Sequence, residues 1–152
     1  MALTLTVLLE NRRAAGAGKT LLAKPGLSLL VQDETTTILF DTGPDGSFMH
    51  NAAQMGVDLT HLTAVVLSHG HYDHCGGVPW LADNSRIICH PQIACERYAS
   101  VTVAGTPRKI KKLSHDNNYS RFIMNTPASR WLSAIAFCGP GKLASPRHSP
   151  MV

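Results

Sequence analysis

No apolar run in this chain of 152 residues approaches the roughly 18–20 that a membrane-spanning helix needs, which excludes such a helix from the reading. The opening residues, Met1 to Glu10, contain no Lys or Arg and no cleavage site, so no export leader is read there and a cytoplasmic protein is expected. Cysteine is scarce and scattered. Cys75, Cys89, Cys95 and Cys138 form no Cys-x-x-Cys pair, which removes the argument for an oxidising compartment. They read as buried or partly buried thiols, with Cys75 set apart because it directly follows a His/Asp cluster. A phosphate loop is missing too: Gly16 to Thr20 has the right ending, but position 13, where the first glycine belongs, is Arg13.

What is present is a chain with 44% hydrophobic and 16% charged residues, its apolar residues in short separated runs. That pattern fits one soluble globular domain and argues against global disorder. Charge is divided unevenly. Residues 1–96 hold five Lys or Arg against nine Asp or Glu, whereas residues 97–152 hold nine against Asp116 alone. The densest basic patch, Arg108-Lys109-Ile110-Lys111-Lys112, suits phosphate or another anion, or is simply a solvated loop. Nucleic acid ranks last among partners, because no aromatic interleaving or nucleic-acid motif accompanies the patch.

Leu3 to Leu9 reads as an opening strand, followed by a loop over Asn11 to Gly18. Gly26–Val31 and Thr35–Phe40 read as a β-hairpin that runs into the turn Asp41-Thr42-Gly43-Pro44-Asp45-Gly46. Phe48, Ala52 and Met55 recur at helical spacing, with Ser47 as expected N-cap and Gly56 as stop. Leu62–Leu67 is a continuous apolar strand of the kind buried on both faces. Arg86–His90 reads as a further strand, and Pro91 opens a helix expected to run through Tyr98. Asp116–Ser120 is turn-like, Trp131–Phe137 is a last apolar run, and residues 139–152 read as a Pro/Gly/Ser-rich tail after a domain over 1–138.

His69, His71, Asp73 and His74 crowd into six residues at the end of a buried strand, which is too many polar groups for packing. Neutral imidazoles with a carboxylate suit a divalent borderline metal. His69 and His71, two apart, project the same way and can share one ion; a turn after His71 aims Asp73 and His74 at a second. Gly70, Gly76 and Gly77 are expected to give the backbone freedom for that bend. Two ions roughly 3.5–4 Å apart generate a nucleophile from water, and Asp73 is the candidate catalytic carboxylate that steers its proton.

The order strand, Asp41-Thr42-Gly43, helix, strand, Ser68-His69-Gly70-His71-Tyr72-Asp73-His74-Cys75-Gly76-Gly77 resembles the metallo-β-lactamase superfamily. Gly26–Leu30, Leu39–Gly43, Val66–His74 and Cys89-His90-Pro91 resemble its subgroup named for dihydropterin-ribofuranosylaminobenzene-phosphate synthase. The resemblance implies an α/β fold, an αββα sandwich of mixed sheets with flanking helices. It also implies two divalent metal ions, zinc first and manganese or iron next, and Asp41 as a carboxylate beneath the site that orients the ligands; a turn-capping Asp41 is the alternative. His90 reads as either a substrate-side or a surface residue. Where Cys75 stands, the subgroup commonly has threonine. The superfamily completes its metal shells with a later His, a bridging Asp or Cys and a final His from a second half, whereas here only His90, His115 and His148 follow His74. The expectation is therefore an N-terminal half of the sandwich.

Three functions follow as expectations. One is a metal-dependent hydrolase-type enzyme acting on a small, pterin-related, anionic or phosphorylated molecule. Another is a truncated, inactive remnant that binds metal weakly or serves as an interaction module, prone to self-association through the apolar face meant for the missing half. Nucleic-acid binding through the basic third comes last.

Overall fold

The computed structural model describes residues 2–114 of the chain. The Asp116–Ser120 turn, the Trp131–Phe137 run, the domain boundary at 138 and the tail lie outside them. Five strands form one mixed sheet in sequential order: β1 (Thr4–Leu9), β2 (Ser28–Gln32), β3 (Thr37–Phe40), β4 (Ala64–Leu67) and β5 (Ile87–Cys89). The first three pair antiparallel, and β3, β4 and β5 pair parallel. Helix α1 (Ser47–Gln54) carries the crossover between the parallel strands β3 and β4.

Register sets the two faces, because directly paired residues share a face and neighbours along a strand alternate. On one face Leu30, Leu39, Val65, Leu67, Ile87 and Cys89 are buried in a cluster with Phe48 and Ala52 of α1, Val78 and Ile93. Phe48 is fully buried, and its truncation to Ala is worth about 3–5 kcal/mol. The register lines up the other face as Leu5 with Val31 and Ile38, and Val7 with Leu29, Phe40, Val66 and Ile88. Every one of these is apolar, and Leu5, Val7 and Ile88 are 59%, 48% and 39% exposed. The described residues do not cover this face. Such a sheet is half of a sandwich in its sequence pattern: β3 and β4 are apolar on both sides, as strands between two layers must be.

Helix α1 starts one device away from the sequence expectation. Gly46 occupies the cap position, and Asp45 rather than Ser47 supplies the acceptor, taking hydrogen bonds from the Ser47 amide (2.9 Å) and hydroxyl. Gly56 ends the helix with φ +68°, the left-handed conformation a glycine stop provides.

The helix expected from Pro91 to Tyr98 is absent. Pro91–Ala94 makes only a 3₁₀ turn, Cys95 is extended (φ −66°, ψ 136°), and strand β6 (Tyr98–Val103) begins where the helix was to end. The Arg97 guanidinium explains the stop: it donates to the carbonyls of Gln92 (2.9 Å), Ile93 (3.2 Å) and Cys95 (2.9 Å), satisfying groups that a continuing helix would have bonded internally. The basic run is not a loop either. It lies in β7 (Thr106–Lys112), which pairs antiparallel with β6 in a separate two-stranded sheet. Their turn is Ala104-Gly105, with φ +49° and +78°, the two-residue hairpin geometry that matches strand twist. Among the described residues no helix is long and apolar enough to cross a membrane.

Candidate metal centre

The three parallel strands end at one rim of the sheet, and each delivers a polar group there: Asp41 after β3, Ser68 and His69 after β4, His90 after β5. Asp41 has φ +57°, a left-handed conformation that Asp tolerates better than most residues. The turn is anchored from both sides. The Asp41 amide donates to the Val66 carbonyl (2.9 Å), and the Thr42 amide and hydroxyl donate to the His74 carbonyl (2.8 and 3.2 Å). The Thr42 hydroxyl in turn accepts from the Gly77 amide (3.1 Å).

His71 sits before a single helical turn, α2 (Tyr72–Cys75), and its carbonyl accepts from the amides of His74 and Cys75 (both 3.1 Å) and from the Cys75 thiol (2.9 Å). Cys75 is therefore a buried packing thiol held to the ligand loop, and Cys89 is buried too. Cys95 is exposed, contrary to the reading of the thiols as buried or partly buried. The bend itself does not use left-handed glycines: Gly76 has φ −65° and Gly77 φ −78°. Space is the reason instead. A methyl group on Gly70 would strike the Ile93 carbonyl oxygen and the Arg97 guanidinium, and one on Gly76 would strike the carbonyls of Pro44 and Tyr72.

Asp41 is fully buried and organises the site. Its Oδ1 accepts from the Ser68 amide (2.8 Å), and its Oδ2 accepts from the Ser68 hydroxyl (2.7 Å) and from Nδ1 of His74 (2.8 Å). The Ser68 oxygen also lies 2.8 Å from Nδ1 of His69. A serine has one hydroxyl proton. With that proton on Asp41, the Ser68 oxygen accepts, and Nδ1 of His69 is the donor. Both His69 and His74 then carry hydrogen on Nδ1 and a free lone pair on Nε2, the tautomer that a metal requires.

The rings are close: centroids of His69 and His71 are 4.5 Å apart, and those of His69 and His74 are 4.2 Å apart. Desolvation first, then the neighbouring His74 and His71, lowers the pKa of His69. His71 is lowered as well, by desolvation first and with Arg97 adding to it, against an opposing pull from Asp73. For His74 desolvation is again the largest cause and lowers the value, but the hydrogen bond and charge of Asp41, with Asp73, outweigh it and leave the pKa raised. Asp73 places Oδ2 at 3.9 Å from Nε2 of His74.

The structure thus brings His69, His71, Asp73 and His74 together above Asp41. No group of three His, Cys, Asp or Glu among the described residues is arranged to hold a metal ion as it stands. The donor chemistry nevertheless fits a divalent borderline metal, since the Nε2 lone pairs of His69 and His74 are left free by bonds on their other nitrogens. His90 is exposed at the rim and accepts a hydrogen bond from the Gln92 amide through Nδ1 (3.1 Å), so it caps the 3₁₀ turn.

Sequence reasoning left Ser68, Thr42 and Arg97 without roles. Ser68 had a signal, its place between the strand end and His69; Arg97 had none. Arg97 ties two regions, because its own carbonyl accepts from the amides of Leu113 (2.7 Å) and Ser114 (3.3 Å), while Tyr72 donates to Leu113 (2.8 Å). An isolated antiparallel bridge joins His71 to Ser114, and the Ser114 hydroxyl is buried with no hydrogen-bond partner among the described residues.

Comparison with known proteins agrees with this architecture. Residues 22–88 match the family described as metallo-beta-lactamase superfamily. An uncharacterized protein of Methanocaldococcus jannaschii is 30% identical over 100 residues, which are 63% of this chain and 39% of that protein. The 7,8-dihydropterin-6-methyl-4-(beta-D-ribofuranosyl)-aminobenzene-5'-phosphate synthase of the same organism is 26% identical over 137 residues, 82% of this chain and 47% of the enzyme. A solved structure titled a metal-dependent hydrolase of the beta-lactamase superfamily is similar with a TM-score of 0.51 and 28% identity, over 69% of this chain and 35% of that one. The chain spans less than half the length of each of these relatives. Residues 22–88 thus match the metallo-β-lactamase superfamily, and the mixed sheet with its His-rich rim has a fold like that of the superfamily.

Proposed function

We propose that the chain carries the first half of the active site of a metal-dependent hydrolase-type enzyme, with His69 and His71 as ligands of one divalent ion and Asp73 and His74 as ligands of a second. Zinc is the first choice of metal, manganese or iron the next. The observation that carries the reading is the buried Asp41 carboxylate, which fixes His74 directly and His69 through Ser68, leaving both Nε2 atoms available. Carboxylates that orient ligating histidines in this way serve metal affinity. Divalent ions bound there supply the Lewis acidity that turns water into a nucleophile near neutral pH.

The chain's own residues do the rest. Asp41 and Ser68 hold the imidazoles in one tautomer, Arg97 and the Gly70 contact keep the loop against the 3₁₀ turn, and Asp73 would steer the proton that the attacking water gives up. The substrate is a small phosphate-bearing molecule of pterin-like kind. Similarity to the aminobenzene-phosphate synthase and the cationic strand beside the His loop support that class.

A second reading is a remnant that binds metal weakly and acts through its surface. It is favoured by the lack of any ready three-donor group and by the uncovered sheet face among the described residues. Zinc titration of the full chain by calorimetry, with metal content measured after dialysis, separates the two. Up to two equivalents bound, with a loss in His71→Ala, supports the enzyme reading. Metal content at background, or equal in His71→Ala, overturns it in favour of the remnant.

A further inference from the structure

Strand β7 carries four cations, but its pairing with β6 divides them between two faces. Tyr98 pairs with Lys112, Ala99 with Lys111, Ser100 with Lys109 and Val101 with Arg108, so the register shifts between Ala99 and Ser100 and Ile110 has no partner of its own. This is a β-bulge, and it reverses the alternation along β7. Without it, Lys109 and Lys111 would share a face. With it, Lys109 and Lys112 fall on the face of Tyr98 and Ser100, and Arg108 and Lys111 fall on the opposite one, with Ala99 and Val101.

The contacts agree with that division. On the first face Lys109 stands 4.2 Å from the centroid of the Tyr98 ring, and Lys112 pairs with Glu96 at 3.2 Å. The Glu96 carboxyl is held below its ordinary value by the Tyr98 hydroxyl first, then by Lys112, and also by Lys109. On the second face Lys111 stands 5.4 Å from the centroid of Tyr72, the residue between His71 and Asp73. Arg108 and Lys111 are both exposed and form no ion pair among the described residues. On one face Glu96 offsets one of the two charges; the other face carries two cations with no carboxylate against them among the described residues, and its Lys111 lies beside the His loop.

We propose that Arg108 and Lys111 form an anion-holding arm of the candidate metal centre, which takes a phosphate group carried by the substrate at a distance from the bond that reacts. The two cations are two register positions apart, about 7 Å along a strand, close enough for both to reach one phosphate through their long side chains. Lys111 precedes Ser114, the bridge partner of His71, by three residues, about 10 Å of strand. The phosphate is therefore a handle and not the reacting centre. The Ser114 hydroxyl, which has no hydrogen-bond partner among the described residues, adds a donor at the bridge to His71. The Arg guanidinium supplies forked hydrogen bonds and the Lys ammonium a point charge.

The inference rests on the preceding reading for the reacting centre, but its probe does not. Inorganic phosphate and pyrophosphate are titrated into the ¹⁵N-labelled full chain, freed of metal by chelator and dialysis, with amide shifts followed along β7 and the His loop. Saturable shifts at Arg108, Lys111 and Ser114 are expected, with affinity about fivefold weaker in Arg108→Gln/Lys111→Gln and unchanged in Lys109→Gln. Equal weakening in Lys109→Gln shows non-specific attraction to a basic strand and overturns the proposal, as does a wild-type chain without saturable shifts. Affinity that grows with the length of a single-stranded oligonucleotide, beyond that for pyrophosphate, overturns it in favour of a nucleic-acid surface. Should the double variant not fold, Lys111→Arg is expected to keep the wild-type affinity and Lys111→Met to weaken it by about twofold, and equal affinity in the two overturns the proposal. Zinc titration of the same samples keeps the two readings apart: phosphate binding without zinc binding sinks the enzyme and leaves the arm, and zinc without phosphate does the reverse.

Discussion

The buried carboxylate of Asp41 accepts a hydrogen bond from Nδ1 of His74 at 2.8 Å, so the imidazole whose pKa is raised is also the one locked by a group with no access to water. Two substitutions separate the parts of that relationship. Asp41→Asn keeps size and tolerance for φ +57°, so the fold is expected to survive, with zinc affinity about 10–100-fold lower. Asp41→Ala leaves the Ser68 amide, its hydroxyl and His74 without their acceptor and is expected to cost about 3–5 kcal/mol in urea unfolding. Unchanged zinc affinity in the Asn variant would show that the carboxylate is only a turn cap.

Gly70→Ala is expected to destabilise the chain by about 1–3 kcal/mol, because its methyl meets the Ile93 backbone carbonyl, which cannot swing aside as a side chain can. Gly18→Ala is the matched control. Its nearest contact is the Thr20 hydroxyl at 3.6 Å, and a change within about 0.5 kcal/mol is expected. Equal melting of the two variants would show that the loop is not pressed against the 3₁₀ turn.

Asp45 gives the chain an acid limb. Burial, the largest single cause, pushes its pKa up, but Lys24, the Ser47 hydroxyl and the Ser47 amide together hold it below 3.8. A folded value below the unfolded one means that the stabilisation is complete above the unfolded pKa and is lost as pH falls through the folded one. Urea midpoints measured from about pH 6 down to about pH 3 are expected to fall less in Asp45→Asn than in wild type. Parallel curves would sink the assignment.

The apolar sheet face is expected to drive self-association. Sedimentation velocity of the full chain is expected to show species larger than a monomer, shifted towards monomer by Leu5→Glu together with Ile88→Glu, two exposed positions outside the buried core. A monodisperse, cooperatively melting wild-type monomer would show that the face is covered.

The sheet was legible in the sequence because β2 to β5 are short apolar runs separated by turn residues, and burial on both sides leaves a continuous pattern that polar loops interrupt. The His cluster was legible for a different reason: its density has no packing explanation. Two things were hidden. The Pro91 segment carries a sound helix-start signal, and what overrides it is a side chain just downstream, Arg97 folding back on the carbonyls of Gln92, Ile93 and Cys95. The fate of Arg108–Lys112 depends on a bulge at Ile110, which composition does not announce; a run of cations reads as one patch until pairing with β6 separates them into two. Ser68 was visible, but its part in donating to a carboxylate while accepting from an imidazole is a matter of distances alone.

Because β3, β4 and β5 run the same way, every group offered to the metal or its supports leaves the sheet at one rim. Among the described residues, none of the candidate ligands or their supports lies at the far rim, where exposed Asp83 and Asn84 stand just before β5. That separation gives the protein an idle end: a fluorophore or an inserted epitope there would report on folding without entering the neighbourhood of Asp41, and sequence drift there would leave no mark on the ligand loop.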